Sequence, residues 1–446
     1  MSSFIEIING LFAQDPAILK TYLAYGRIVL DYVHTFFDKA FYVFLFIAMG
    51  FTVVYVLMSL IVISKKRVSN EYEFVPEKAP FVTVQIPTKN EIIALRCAKK
   101  AINFDYPKNK YEIIIGDDST DPLISAEIDE FAKENPLVKV VRREDNIGFK
   151  PGNLNNILKH SKGDILVIFD SDFTPEKDFL KRIVAPFIND SSISAVQAKW
   201  NFNNFNQNLV TILASTIVHV FHHVVLNFMH LFKAGSLCGS AEAIRKKDLL
   251  ELGGWESGSL TEDIEYSLRL YKSNKKIIYL PDLQCYSDVP HIPSDLYKQQ
   301  MRWAYGVVTA YKKHFKGLIF NKASSVKKKL LSMCAGFGYL MPILIFALFI
   351  TGTISFVTDK PGPIDLPKFF TEMIRNVLLT SGLLIATFVA LYKEKQIKYA
   401  FKTLIASFSI GLVTTYYVNK GICKSIFKKP MQWYLLNKDV NYKQAQ

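Results

Sequence analysis

Residues 41–64 run for about 24 positions without a charged side chain, enough for one helix to cross the hydrocarbon core of a bilayer. Lys65, Lys66 and Arg67 follow at once, and by the positive-inside rule they mark the cytoplasmic end. The stretch begins too far into the chain for a signal peptide, is longer than a signal peptide's apolar region, and has no small-residue cleavage site behind it, so it reads as a retained helix. Half of the 446 residues are apolar and the mean hydropathy is slightly positive. That is too hydrophobic for a soluble globular protein, yet the middle of the chain is polar. The expectation is a membrane protein with one cytosolic domain, residues 68–315, between membrane segments.

Residues 1–40 contain Ile18, Tyr22, Tyr25, Val29 and Val33 at helical spacing, interrupted by Lys20, Arg27 and Asp31. They read as an amphipathic helix on the membrane surface and not as a span. Residues 316–446 read as a C-terminal membrane region, with spans at about 331–354 and 372–391. Lys393, Lys395, Lys398 and Lys402 mark the return to the cytoplasm. A span over residues 401–418 would put the basic run 420–429 outside, so that segment reads as an interfacial or re-entrant helix. The net charge of +14 permits nucleic-acid binding, but Lys312, Lys313, Lys316, Lys322, Lys327 to Lys329, Lys424, Lys428 and Lys429 lie beside apolar segments. Anionic lipid headgroups are therefore the expected partner, and no nucleic acid. The five cysteines are odd in number and scattered, which suggests neither a disulfide frame nor a zinc site. His219, His222, His223 and His230 read as the polar seam of an amphipathic helix at the membrane interface.

The central domain alternates apolar runs and helical patterns. Strands are expected at 81–87, 111–116, 138–141 and 164–169, with helices between them. That is an α/β domain with a doubly wound sheet of the nucleotide-binding kind. There is no Walker sequence and no Gly-x-Gly-x-x-Gly, so phosphates have to be met by a metal and by basic side chains. Asp170 and Asp172 stand one residue apart at the end of the fourth strand, where open α/β sheets bind ligands. Two adjacent carboxylates suit a hard divalent cation, Mg2+ or Mn2+, shared with a diphosphate. Alone, Asp-x-Asp is a weak signal.

Several motifs occur together and in order: Pro87-Thr88-Lys89-Asn90-Glu91, Asp117-Asp118-Ser119, Gly148-Phe149-Lys150-Pro151-Gly152-Asn153-Leu154-Asn155, Asp170-Ser171-Asp172, Gln197-Ala198-Lys199-Trp200, Cys238-Gly239-Ser240, Gly253-Gly254-Trp255, Thr261-Glu262-Asp263 and Gln299-x-x-Arg302-Trp303. In that order and spacing the chain resembles membrane-bound family 2 glycosyltransferases of the cellulose synthase and cellulose-synthase-like (mannan and glucan synthase) branch, over roughly residues 80–315. The resemblance implies a GT-A-type domain and a nucleotide-sugar donor held by Pro87, Thr88, Glu91, Asp118, Lys150, Asp170, Gln299, Arg302 and Trp303. It further implies a metal on Asp170 and Asp172, Asp263 as the base beside Glu262, and an acceptor lined by Cys238, Gly239 and Trp303. Residues 430–438 resemble a gating loop carrying Trp433 and Lys438, with Leu436 where the family usually has threonine.

Each motif also has a plainer reading. Thr261 followed by two acids is a good helix N-cap. Cys238 fits a buried free thiol, and Asp118 fits an N-cap. In favour of chemistry, arginine's planar fork suits a diphosphate, tryptophan offers a face for a sugar ring, and a carboxylate can take the acceptor's proton. A single in-line displacement needs no second carboxylate and inverts the anomeric centre. The expected function is an inverting, metal-dependent, processive β-glycosyltransferase using UDP-glucose, with GDP-mannose the other candidate donor. A glycolipid synthase is the rival within the class. An inactive sugar-nucleotide-binding subunit is the rival outside it, and the intact set Asp170, Asp172, Asp263 and Arg302 speaks against that. Three spans enclose little, so polymer export would require a second copy or a partner protein.

Overall fold

The computed structural model describes residues 16–65, 72–322, 324–360, 362–363, 365–432 and 434. They form two compact units, residues 1–54 with 341–383 and residues 55–340 with 384–446.

The second unit is built on a seven-stranded sheet: β1 (Val82–Thr88), β2 (Tyr111–Asp117), β3 (Val138–Val141), β4 (Ile165–Ile168), β5 (Ile193–Phe202), β6 (Glu242–Arg245) and β7 (Lys276–Ser287). The order is β3-β2-β1-β4-β6-β5-β7. β1 to β4 pair in parallel, joined through α2 (Ala94–Ile102), α3 (Pro122–Glu134) and α4 (Phe149–His160). Every residue of β1 is buried, and the run of Val and Ile on β1, β2 and β4 fills both faces, as helix-covered parallel strands require. Two buried donors on β1 are paired: Gln85 Nε2 donates to Ser161 Oγ at 3.0 Å and Thr83 Oγ1 to Glu112 Oε1 at 2.8 Å. The sheet is mixed, because β6 runs antiparallel to both β4 and β5. β6 has four residues, two of them charged, and lacks the apolar run by which the first four strands are recognised.

Past β4 the unit continues through α5 (Phe179–Asn189), α6 (Leu209–Val220), a π turn (Phe221–Leu226), α7 (Asn227–Leu231), α8 (Lys246–Glu251), α9 (Glu262–Lys272) and α10 (Pro293–Ile319). Its remaining helices are α11 (Val326–Phe337), the greater part of α14 (Gly382–Lys393), α15 (Ala400–Phe408) and α16 (Ile410–Ile426). The four histidines do not form an interfacial seam. His219, His222 and His223 are buried inside this unit, on a helical stretch that is apolar nearly all round. Such a stretch is a core helix, and here β5 and β7 cover it.

Helix α1 (Pro16–Ser64) is continuous, so residue 40 marks no break in secondary structure. Two of the charges that suggested a separate surface segment neutralise each other, Arg27 pairing with Asp31 at 2.6 Å one turn on. The first unit contains residues 16–54 of α1, α12 (Leu340–Thr358) from residue 341, α13 (Leu366–Leu379) and the start of α14. Close approach at Gly352, where a Cβ would lie 3.2 Å from Phe41, and a bond between His34 Nδ1 and Ser355 O at 2.9 Å join α1 to α12. Among the described residues, three helices are apolar and long enough to cross a membrane: residues 20–64, 209–231 and 340–358. The second of these is mostly buried in the protein. The segment expected to span at 372–391 is bent by 59° between α13 and α14, and residues 397–408 and 410–426 meet at 54°.

Candidate active site

The carboxyl ends of β1 and β2 are tied together. Asp118 N donates to Thr88 O at 3.0 Å, and Asn90 N to Ser119 Oγ at 2.8 Å. In the β2–β3 register Gly116 faces Val141, so continuing past the strands brings Arg142 beside Asp117 and Arg143 beside Asp118. Arg143 grips Asp118 with a two-point fork, Nε to Oδ1 at 2.8 Å and Nη2 to Oδ2 at 2.5 Å. The same guanidinium donates to Ile147 O at 2.6 Å and Phe149 O at 3.1 Å, so it also shapes the loop leading to Lys150. Asp118 does not cap α3; Asp121 does, accepting from Leu123 N. Burial pushes Asp117 up, but bonds from Ser119, Ser125 and Arg142 outweigh it and hold the carboxyl below its ordinary value.

Lys150 opens α4 from a left-handed glycine. Gly148 has φ +82°, and a Cβ there would lie 1.9 Å from Ser257 Oγ, so only glycine lets this loop close on residues 257 and 258. Two asparagines hold the helix that follows: Asn153 Nδ2 donates to Gly116 O at 2.8 Å, and Asn155 exchanges two bonds with the Trp255 backbone. The result is a part-buried ammonium 2.7 Å from Asp170 Oδ1, 3.0 Å from Glu262 Oε1 and 2.5 Å from Gly239 O. Burial works against the charge of Lys150, but Asp170 and Glu262 outweigh it and hold its pKa above the usual lysine value.

Asp263 is buried in the first turn of α9. Burial, then the neighbouring Glu262, pushes its carboxyl up to about 7 against the pull of Ile264 N–H and Lys150. Thr261 precedes α9 but makes no side-chain cap bond, and its Oγ1 is buried without a partner. Gly239, at φ +90°, would place a Cβ 3.5 Å from Asp263 Oδ2, so the turn 238–240 lies against Asp263. That turn is held from several sides: Gln197 Oε1 accepts from Cys238 N at 2.7 Å, Trp200 Nε1 donates to Ser240 O at 2.9 Å, and Asp170 N donates to Ser240 Oγ at 2.9 Å. Glu242 accepts from Gly239 N at 2.9 Å and Cys238 N at 3.3 Å. Burial, then Asp263, raises Glu242 to about 8.

Helix α10 carries Gln299, Arg302 and Trp303 on one side. Arg302 Nη1 donates to Leu260 O at 3.1 Å. Burial lowers its pKa, opposed by Glu262, Asp170 and Asp263. Gln299 is part-buried, and Trp303 and Cys238, also part-buried, pack against the main apolar core. Two glycines set α10 in place. A Cβ at Gly306 would lie 2.6 Å from Thr261 Cγ2, and one at Gly421 on α16 would lie 2.3 Å from Met301 O. Of the segment 430–438, Met431 and Tyr434 cluster with Leu260, Met301 and Phe149, whereas Trp433 and Lys438 lie outside the described residues.

Asp170 is part-exposed beside Lys150, Asp172 is buried, and Ser171 between them donates to Glu91. This all-oxygen pair, with one member part-exposed, fits a hard divalent cation. A second group, Glu256, Glu265 and His314, also gathers potential ligand atoms. There Arg269 takes both oxygens of Glu265 and Lys313 pairs with Glu256 at 2.6 Å, which makes that group an ion-pair network.

Lys150, Asp170, Glu262 and Asp263 thus come together with Gly239, and the field of Arg302 reaches Glu262, Asp170 and Asp263. Pro87, Thr88 and Asp118 form the neighbouring edge. Sequence reasoning missed Arg143, Glu242, the Leu260 carbonyl and Gly306. Arg143 had one readable signal, a basic pair after β3 facing an acidic pair after β2.

A family model described as Glycosyltransferase like family 2 matches residues 79–306. Among curated proteins, the glucomannan 4-beta-mannosyltransferase 7 of Arabidopsis thaliana is 27% identical over 362 residues, covering 77% of this chain and 65% of that protein. The glucomannan 4-beta-mannosyltransferase 1 of Oryza sativa subsp. japonica is 29% identical, covering 56% and 50%. The chain spans about half to two-thirds of the length of these relatives. Among solved structures, a mannosyltransferase from Pyrobaculum calidifontis in complex with GDP-Man and Mn2+ aligns with a TM-score of 0.61 at 17% identity, over 90% of this chain and 100% of that one. The shared architecture is the GT-A-like fold with a mixed central sheet.

Proposed function

The chain belongs to the glycosyltransferase like family 2, and from that premise we propose that it moves a hexose from a nucleoside-diphosphate sugar to a hydroxyl of a growing β-glycan, with inversion. The observation that carries this reading is the part-buried Lys150 ammonium, bonded to Asp170 on one side and Glu262 on the other, next to Asp263. In the proposed step the acceptor oxygen attacks the anomeric carbon, the bond from that carbon to the diphosphate oxygen breaks, and Asp263 takes the acceptor's proton. A carboxylate titrating near neutrality is suited to that exchange. Lys150 and Arg302 face the charge left on the diphosphate. A divalent cation held by Asp170 and Asp172 would supply further neutralisation of that charge.

The mannosyltransferase relatives favour GDP-mannose as the first donor to test. UDP-glucose is the second reading, favoured by the Cys238-Gly239-Ser240 element. We further place the catalytic unit on the cytoplasmic face, by the basic residues after α1, with a second copy or a partner protein completing any export path. A lipid acceptor receiving one sugar is the competing product.

The test is purified protein in nanodiscs with GDP-mannose or UDP-glucose singly, in Mg2+, Mn2+ or chelator, followed by sizing of the product. A ladder of β-linked oligomers from one donor, lost in chelator and in Asp172→Asn, is the expected result. Full activity in chelator would overturn the metal. Absence of any glycan or glycolipid from either donor with metal present would overturn the reading.

A further inference from the structure

Of the buried groups that the proposed chemistry does not use, one cluster stands out below the acceptor turn. Glu394, immediately after α14, receives Lys199 Nζ at 2.6 Å and His223 Nε2 at 2.5 Å on one oxygen, and Asn201 Nδ2 at 3.3 Å on the other. The three charged or titratable side chains are 10%, 6% and 3% exposed for Glu394, Lys199 and His223. Taking an ammonium and a carboxylate out of water is expensive, and well-packed apolar residues of the same volume usually serve stability as well or better. What such a triad adds is a fixed geometry between the elements that carry it.

Those elements are informative. Lys199 sits where the register of β5 against β7 shifts, Ala198 facing Leu280 but Lys199 facing Gln284 before the pairing resumes through Phe202. His223 lies on the π turn, a local departure that turns the neighbouring His222 towards Trp200, ring to ring at 5.7 Å. On either side of Lys199 are Gln197, whose Nε2 donates to Ser240 O at 2.9 Å, and Trp200, which donates to the same carbonyl. Ser240 Oγ in turn receives Asp170 N. The neighbour Lys393 donates to Val62 O at 3.1 Å near the end of α1. Two consecutive residues thus fasten the end of an apolar helix, one to another apolar helix and one to the strand under the acceptor turn.

We propose that Glu394 is a positioning residue for the acceptor side of the site: through Lys199 and His223 it sets β5, and with it Gln197 and Trp200, at the height that holds the turn 238–240 against Asp263. The proposal rests on the glycosyl-transfer reading for its kinetic consequence, but its structural consequence stands apart from that reading. Small displacements of an acceptor cost rate steeply. Glu394→Gln and the milder His223→Asn are measured in nanodiscs against wild type with mannohexaose or cellohexaose as acceptor. The expected result is an acceptor KM raised about fivefold or more, with GDP-mannose and UDP-glucose dissociation constants unchanged. Hydrogen exchange, read on the same samples without donor, should quicken in residues 236–242 and 197–202 and stay unchanged in residues 111–118. Unchanged exchange at 236–242 in both variants overturns the proposal whatever the kinetics show, and so does parallel weakening of donor and acceptor. Quickened exchange in a protein whose wild type transfers no hexose supports the positioning role and refutes the transfer reading alone.

Discussion

Replacing Asp263 by asparagine should disable the enzyme and stabilise the protein, and both effects follow from one carboxyl. Its pKa rises from 3.8 to about 7 in the fold because burial and Glu262 disfavour the anion. The sign follows from linkage. The folded state holds this proton more tightly than the unfolded chain, so the stabilisation is complete below about pH 4 and is lost as pH rises through 7. A difference of about 3 pH units corresponds to ~4 kcal/mol. Asparagine keeps the shape and never ionises, so the variant should match wild type near pH 4 and exceed it by up to ~4 kcal/mol above pH 7, a rise of several degrees in thermal midpoint. Turnover should fall by about a hundredfold to ten-thousandfold, the usual contribution of a general base. Thermal unfolding of metal- and donor-free protein from pH 5 to 8.5, beside initial rates, measures both. A variant less stable than wild type by the same amount at every pH would show that Asp263 is an anchor of the α9 turn and not a group whose ionisation opposes folding.

The rate profile should follow the same group, kcat/KM rising with pH to half its plateau near 7, and Glu262→Gln should move that midpoint down by about one unit by removing the neighbouring charge. A midpoint that stays put in the variant would exclude Glu262 as the cause. Arg143→Lys keeps the charge but loses the fork on Asp118 and the bonds to Ile147 and Phe149, so donor KM should rise about tenfold, measured at saturating acceptor. Gly306→Ala places a methyl 2.6 Å from Thr261 Cγ2 and 3.1 Å from the Leu260 carbonyl carbon. It should cost ~1–3 kcal/mol in chemical denaturation and lower kcat through Arg302; wild-type stability would mean that α10 moves away freely.

Strands β1 to β4 were legible because each is a short, largely apolar run that ends in polar or charged residues, acids after β2 and β4 and a basic pair after β3, and that pattern has one good solution in a covered parallel sheet. β6 was not, because Glu242 and Arg245 carry no strand signature and its place is decided by β4 and β5 on either side. The burial of His219, His222 and His223 was illegible for a related reason: an apolar helix facing lipid and one facing protein have the same composition. Within the site, Lys150, Asp170 and Glu262 could be named but not joined, since their meeting depends on Gly148 folding its loop onto residues 257 and 258. Arg143 is the nearest miss. Its partner Asp118 follows from the β2–β3 register, which needs the pairing and not only the strands.

The close packing on two sides of α10 has a mechanical consequence. At Gly421 the α16 backbone lies directly on the Met301 backbone, so a displacement there cannot be absorbed by a change of rotamer. A push on α16 must therefore travel through Met301 to the next residue, Arg302, and on to the Leu260 carbonyl as the shift of a rigid rod. Whatever settles on or leaves α16 therefore acts on the backbone one residue from Arg302, without a hinge between them.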